Sequence, residues 1–191
     1  MKKTIVASVS AFALGILLTV VYFNYSPTCA EQKNSEVSTF SPLTTKVVYS
    51  IADSVTEGYY FPTHDNLLVM DRSNAEVSEA FIVQVAPAKF THRHVHDDTE
   101  QIFFILSGKG RLDLEREGKK ESYNLNPNDF VHVPRNCYHQ TFCEGTDSLK
   151  YLAIDVFPNG HNPVEPTWDS HAKAVCDMKG WNYDEARIKK N

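Results

Sequence analysis

The chain has 191 residues, 42% of them hydrophobic and 12% aromatic, with a formal net charge of -5. That composition supports one packed core and excludes a largely disordered chain. Acidic and basic residues are interspersed, and the absence of a basic stripe excludes nucleic acid as a partner. At the N-terminus, Lys2 and Lys3 precede an uncharged, mostly apolar stretch from Thr4 to Phe23, followed by a polar tail to Ala30. This is the pattern of a targeting segment. Its 20 apolar-run residues match the roughly 20 that span a bilayer and exceed the roughly 7–15 of a cleaved signal. Thr28 and Ala30, however, stand where a signal peptidase reads small residues. Residues 1–30 are thus a signal peptide or an N-terminal membrane anchor, and both place the protein outside the cytosol: periplasmic, secreted, or tethered by residues 4–23. Residues 31–45 are polar and read as a linker.

From Lys46 onward, short apolar runs alternate with turn signals: 47–49, 67–70, 80–85, 101–106, 111–114, 130–133, 140–142 and 151–157. Regular short strands of this kind indicate an all-β sandwich or barrel. Ile102-Phe103-Phe104-Ile105-Leu106 is apolar on both faces, as in a strand covered on both sides. Arg116 to Lys120 is a charged hairpin tip. Pro158-Asn159-Gly160 breaks the last strand, and His171 to Met178 reads as a short helix capped by Asp169 and Ser170. The barrel domain is therefore assigned to residues 46–160, and 161–191 to a tail with a short helix and no assigned role. The four cysteines contain no Cys-x-x-Cys. In an oxidising compartment Cys137 and Cys143 are either a disulfide across a bend or two buried thiols.

The most informative residues are His94 and His96. Side chains two apart on a strand share a face, so His-x-His aims two imidazoles at one point, half of a metal site. After four intervening residues stands Gln101, after six more Gly108, and His139 follows a Pro134-Arg135-Asn136 turn. The two stretches, His94 to Gly108 and Asn128 to His139, resembles in order and register the two motifs of the cupin family, over roughly residues 75–157. Where that family has glycine in its second motif, this chain has Asn128 and Asn136. Asparagine tolerates the left-handed backbone, so the turns survive the exchange.

The resemblance implies an all-β fold of the cupin kind, a double-stranded β-helix or jelly-roll barrel, preceded by the hydrophobic segment and followed by the short helix. It implies one divalent transition metal ion (iron, nickel, copper, zinc or manganese) held by His94, His96, Gln101 and His139. Glu100 is the alternative fourth ligand, since it follows His96 by the count made forward while Gln101 is reached by the count made back from Gly108. With Gln101 inward, Phe103 and Ile105 share its face as pocket walls. His92 has the parity of His94 and His96 and is a candidate pocket, orienting or acid-base residue; Tyr138, beside His139, is a candidate donor to a bound oxyanion. The implied function is an exported or membrane-tethered metal-binding enzyme for a small organic substrate, of dioxygenase, isomerase, lyase or decarboxylase type. A non-catalytic binding module for a sugar, organic acid or signal molecule is the alternative. Family members also pair, which makes a homodimer through residues 46–70 an expectation.

Overall fold

The structure is a computed structural model that describes residues 46–52 and 57–188. The expected signal or anchor and the linker after it lie outside the described residues. Among the described residues no helix is long and apolar enough to cross a membrane.

Among the described residues nine strands follow one another: β1 (Gly58–Tyr60), β2 (Asp65–Met70), β3 (Ser78–Val85), β4 (Glu100–Ser107), β5 (Gly110–Arg116), β6 (Lys119–Leu125), β7 (Phe130–Val133), β8 (Tyr138–Cys143) and β9 (Leu149–Val156). Two helices follow β9 among the described residues, α1 (Trp168–Lys179) and α2 (Tyr183–Ala186). Their pairing builds a six-stranded sheet in the order β1-β2-β3-β9-β4-β7 and a three-stranded sheet in the order β6-β5-β8. The alternation along β9 shows why these residues form sheet: Leu149, Tyr151, Ala153 and Asp155 point inward, and the residues between them are only half-buried. Phe81, Val83, Phe103, Ile105 and Tyr151 of the large sheet meet Leu112 and Cys143 of the small one in a single core.

Turn chemistry agrees with the fold. Asn128 and Asn136 have φ of 74° and 60°, so both asparagines occupy the left-handed conformation. Glu117 and Gly118, with φ of 52° and 76°, form the two-residue turn between β5 and β6. At Gly108 (φ 80°) a Cβ would lie 2.4 Å from the Ser148 carbonyl oxygen, so the chain passes there only as glycine.

Two expectations are corrected, the cover of β4 and the start of the helix. β4 is covered on one face only: Phe104 and Leu106 are exposed, as is Phe130 beside them on β7. Of the two readings of Cys137 and Cys143, that of two buried thiols holds, and Cys176 is likewise free and buried. Six residues of extended strand separate Cys137 from Cys143 by roughly 20 Å, far beyond the roughly 7 Å a disulfide bridges. Beyond residue 160, Trp168, Ala172, Cys176 and Ala186 are buried in the core. The helix starts at Trp168, three residues before the expected His171, since Thr167 and Ser170 form a reciprocal capping box. Trp168 stacks on Phe81 with ring centroids 4.8 Å apart, a burial worth about 3 kcal/mol.

Candidate metal centre

His94 and His96 lie on an extended segment that runs antiparallel along the edge of β8. The His94 amide donates to the His139 carbonyl (3.2 Å), the His139 amide to the His94 carbonyl (2.9 Å), and the Asn136 amide to the His96 carbonyl (2.7 Å). His94 and His139 are therefore directly opposed, with ring centroids 4.1 Å apart. His96, two residues along, lies 4.9 Å from the His94 ring and 5.6 Å from the His139 ring. One nitrogen from each of the three lies within 4.8 Å of the other two, a set that could hold a metal ion.

The hydrogen bonds choose which nitrogen faces inward. His94 Nδ1 is 2.8 Å from the His92 carbonyl and His139 Nδ1 is 3.1 Å from the Cys137 carbonyl. A carbonyl only accepts, so both rings donate at Nδ1 and present a bare Nε2, as a metal-ligating imidazole does. His139 Nε2 and His96 Nε2 are buried with no hydrogen-bond partner. From β4 on the opposite sheet, Gln101 donates Nε2 to Asp155 Oδ1 at 2.9 Å, which leaves its buried Oε1 without a partner. Orphaned buried acceptors cost about 1–3 kcal/mol each. The donor set fits a divalent ion bound by imidazole and amide oxygen.

His94, His96 and Gln101 open onto a cavity of about 190 Å³. Its walls are largely apolar, from Phe61, Phe81, Val83, Trp168 and Val175, with His92, His94, His96 and Gln101 also lining it. That is the make-up of a small-molecule site. Residues 81–155 match the Cupin domain family model.

This chain carries a cupin domain. The cupin core is similar to the glucose-6-phosphate isomerase of Thermococcus gammatolerans, 31% identical over 90 residues, which are 47% of this chain and 48% of that protein. The glucose-6-phosphate isomerase of Thermococcus litoralis is 28% identical over 90 residues, 47% of each chain. The chain thus spans about half the length of the curated relatives it matches. Among solved structures, a predicted oxalate decarboxylase from Thermotoga maritima superposes with a TM-score of 0.51 at 14% identity, over 58% of this chain and 99% of that one. The Lactobacillus farciminis oxalate decarboxylase in complex with formate gives 0.50 at 15% identity, over 71% of this chain and 41% of that one. These two likenesses are of fold alone.

The other candidate residues of this cupin separate by strand parity. Glu100 is on the outer face of β4, its Oε2 3.2 Å from His132 Nε2, both exposed. Being adjacent to the inward Gln101, it points away from the imidazoles. Phe103 and Ile105 do point inward but lie in the core rather than lining the cavity; Phe103 packs on Tyr151 at 4.7 Å. Tyr138, adjacent to the inward His139, is exposed on the outer face with the Arg93 guanidinium 3.9 Å over its ring. It does not line the cavity. His92 does line it, 4.6 Å from the His94 ring, with a buried Nδ1 that has no partner.

Sequence reading missed His64, Asp155, Trp168, His171 and Lys179, all of which line the cavity. Asp155 was visible as an acid at the inward parity of an otherwise apolar strand. Residues 168, 171, 175 and 179 follow helical spacing along α1, yet only the fold shows that this face roofs the site.

Burial governs the electrostatics. It pushes His64, His92 and His96 down to about 3, with His94 adding to each, and His94 itself to about 4. His139 is held well below the ordinary range, by burial and then by His94. Burial and the neighbouring Glu79 drive Asp155 well above the usual carboxylate range. The histidines bind protons in the unfolded chain from about pH 6.5 but in the metal-free fold only near pH 3–4. Stability is therefore present above pH 6.5 and lost progressively as pH falls toward 4, by about 1.4 kcal/mol per pH unit for each histidine that titrates independently. Urea melts of the metal-free protein are expected to show this decline, and added metal is expected to move it to lower pH by competing with protons.

Proposed function

We propose that this cupin is a metal-dependent enzyme that isomerises a small hydroxy-carbonyl compound. The observation that carries the proposal is a cluster of three imidazoles, His94, His96 and His139, two of which line one cavity with Gln101, while His96 Nε2, His139 Nε2 and Gln101 Oε1 are buried and unpartnered. A divalent ion held by His94, His96, His139 and Gln101 would polarise a substrate oxygen as a Lewis acid. The isomerase direction is supported by the two glucose-6-phosphate isomerases that align with the cupin core.

The chain's own side chains have distinct tasks. His92, kept neutral by burial, offers an N–H to a substrate oxygen and a bare ring nitrogen to a proton. Lys179 is the one lysine or arginine among the described residues that line the cavity, and it suits a substrate with a single anionic end. Phe61, Phe81 and Trp168 exclude water from the reacting groups. The proposal extends to location: Lys2, Lys3 and the apolar stretch from Thr4 to Phe23 take the protein to or across a membrane, and residues 46–70 are the expected contact of a homodimer.

The test is turnover of small aldoses, ketoses and their phosphates by the metal-loaded full chain, with oxalate-type acids as the contrasting set. Metal-dependent aldose-ketose interconversion, lost on chelation, is the expected result. Metal retained without turnover of any of these would overturn the enzyme assignment, and ligand binding by the metal-free protein would then identify a binding module.

A further inference from the structure

Glu79, Asp155 and Gln101 form one row across three adjacent strands. Glu79 pairs directly with Asp155 between β3 and β9, and Asp155 with Gln101 between β9 and β4. All three are buried, Glu79 completely. The buried Arg72 grips the far end of the row with two hydrogen bonds, Nε to Glu79 Oε2 at 2.6 Å and Nη2 to Glu79 Oε1 at 2.9 Å. Arg72 also donates Nη1 to the Glu165 carbonyl at 3.2 Å. The Glu165 side chain in turn meets His171 Nδ1 of α1 at 2.6 Å. A polar chain thus leaves the cavity at Gln101, crosses the sheet, and returns to the cavity at His171.

Resting on the metal centre proposed above, we infer that Asp155 is a positioning residue: backed by Glu79 and Arg72, it fixes the Gln101 amide so that Oε1 rather than Nε2 is presented to the ion. A glutamine amide has two faces of nearly equal shape, and only the oxygen ligates. Asp155 Oδ1 accepts from Nε2 and so decides between them. Three buried polar residues in a row across a sheet are costly as packing alone, and their alignment on the ligand's amide accounts for that cost. The row also ties the ligand on β4 to the helix that roofs the cavity, through Arg72 and Glu165.

The test is Co(II) affinity by competition titration, together with the visible absorption of the Co(II) protein, for the full-length wild type, Asp155→Asn, Asp155→Leu, Gln101→Ala and the Gln101→Ala/Asp155→Leu pair. Asparagine keeps an oxygen for Gln101, so Asp155→Asn is expected to retain wild-type affinity and spectrum. Asp155→Leu is expected to weaken binding about 10–100-fold, the usual effect of losing a group that orients a ligand, and to change the absorption. In the Gln101→Ala background the same leucine is expected to have no further effect, because there is no amide left to orient. An equal loss in both backgrounds, or no loss in either, would overturn the inference while leaving the metal centre standing. Absence of Co(II) binding by the wild type would overturn both. Should the leucine variant not fold, failure of Asp155→Asn to retain the wild-type spectrum overturns the inference on its own, and its retention supports it.

Discussion

Replacing His139 with alanine is expected to weaken divalent metal binding by more than about 100-fold, since losing a mere orienting partner already costs about 10–100-fold. His139 anchors the site twice. Its backbone exchanges two hydrogen bonds with His94, which the substitution preserves, and its ring supplies the bare Nε2, which the substitution removes. Binding and folding therefore separate cleanly in this variant. Metal present at 1,000 times its Kd stabilises a native state by about 4 kcal/mol, and at 10 times by only about 1.4. Thermal melts with and without metal should show a large upward shift for the wild type and a much smaller one for His139→Ala. Equal shifts would place the ion elsewhere.

The second large effect concerns the buried ion pair. Arg72 and Glu79 are nearly inaccessible to water, and their two hydrogen bonds compensate a desolvation cost of several kcal/mol per ion. Substituting Arg72 with methionine leaves Glu79 buried and unpaired, next to Asp155, and is expected to destabilise the fold by about 3–5 kcal/mol. Removing both charges, as in Arg72→Met with Glu79→Leu, is expected to recover most of that loss, because no uncompensated charge remains. Urea titration of the three proteins measures it. Additive losses would mean that the pair does not act as a unit.

Much of the site was legible before the fold was known, and parity explains why. His94, His96, His139 and Gln101 are tied to turns and glycines at fixed spacing, so the strand alternation settles their faces. The same rule places Glu100 and Tyr138 on the outside. What the sequence does not carry is tertiary. Phe103 and Ile105 face inward, as their parity requires, yet how deep they lie follows from the packing of Tyr151 and the opposite sheet. The roof of the cavity comes from α1, outside the family match, and docking of Trp168 on Phe81 joins residues 87 positions apart. Local pattern gave the helix but not its destination. Likewise the double apolar character of β4 signalled cover on both faces, whereas Phe104 and Leu106 lie open on the outer one.

The most direct test of the metal centre is X-ray absorption at the metal edge of the Co(II)- or Zn(II)-loaded protein, together with anomalous diffraction from its crystals. The result expected is one ion per chain with three imidazoles in its scattering shell, located at His94, His96 and His139. An ion bound elsewhere, a shell without imidazole, or a folded protein that takes up no ion would contradict it.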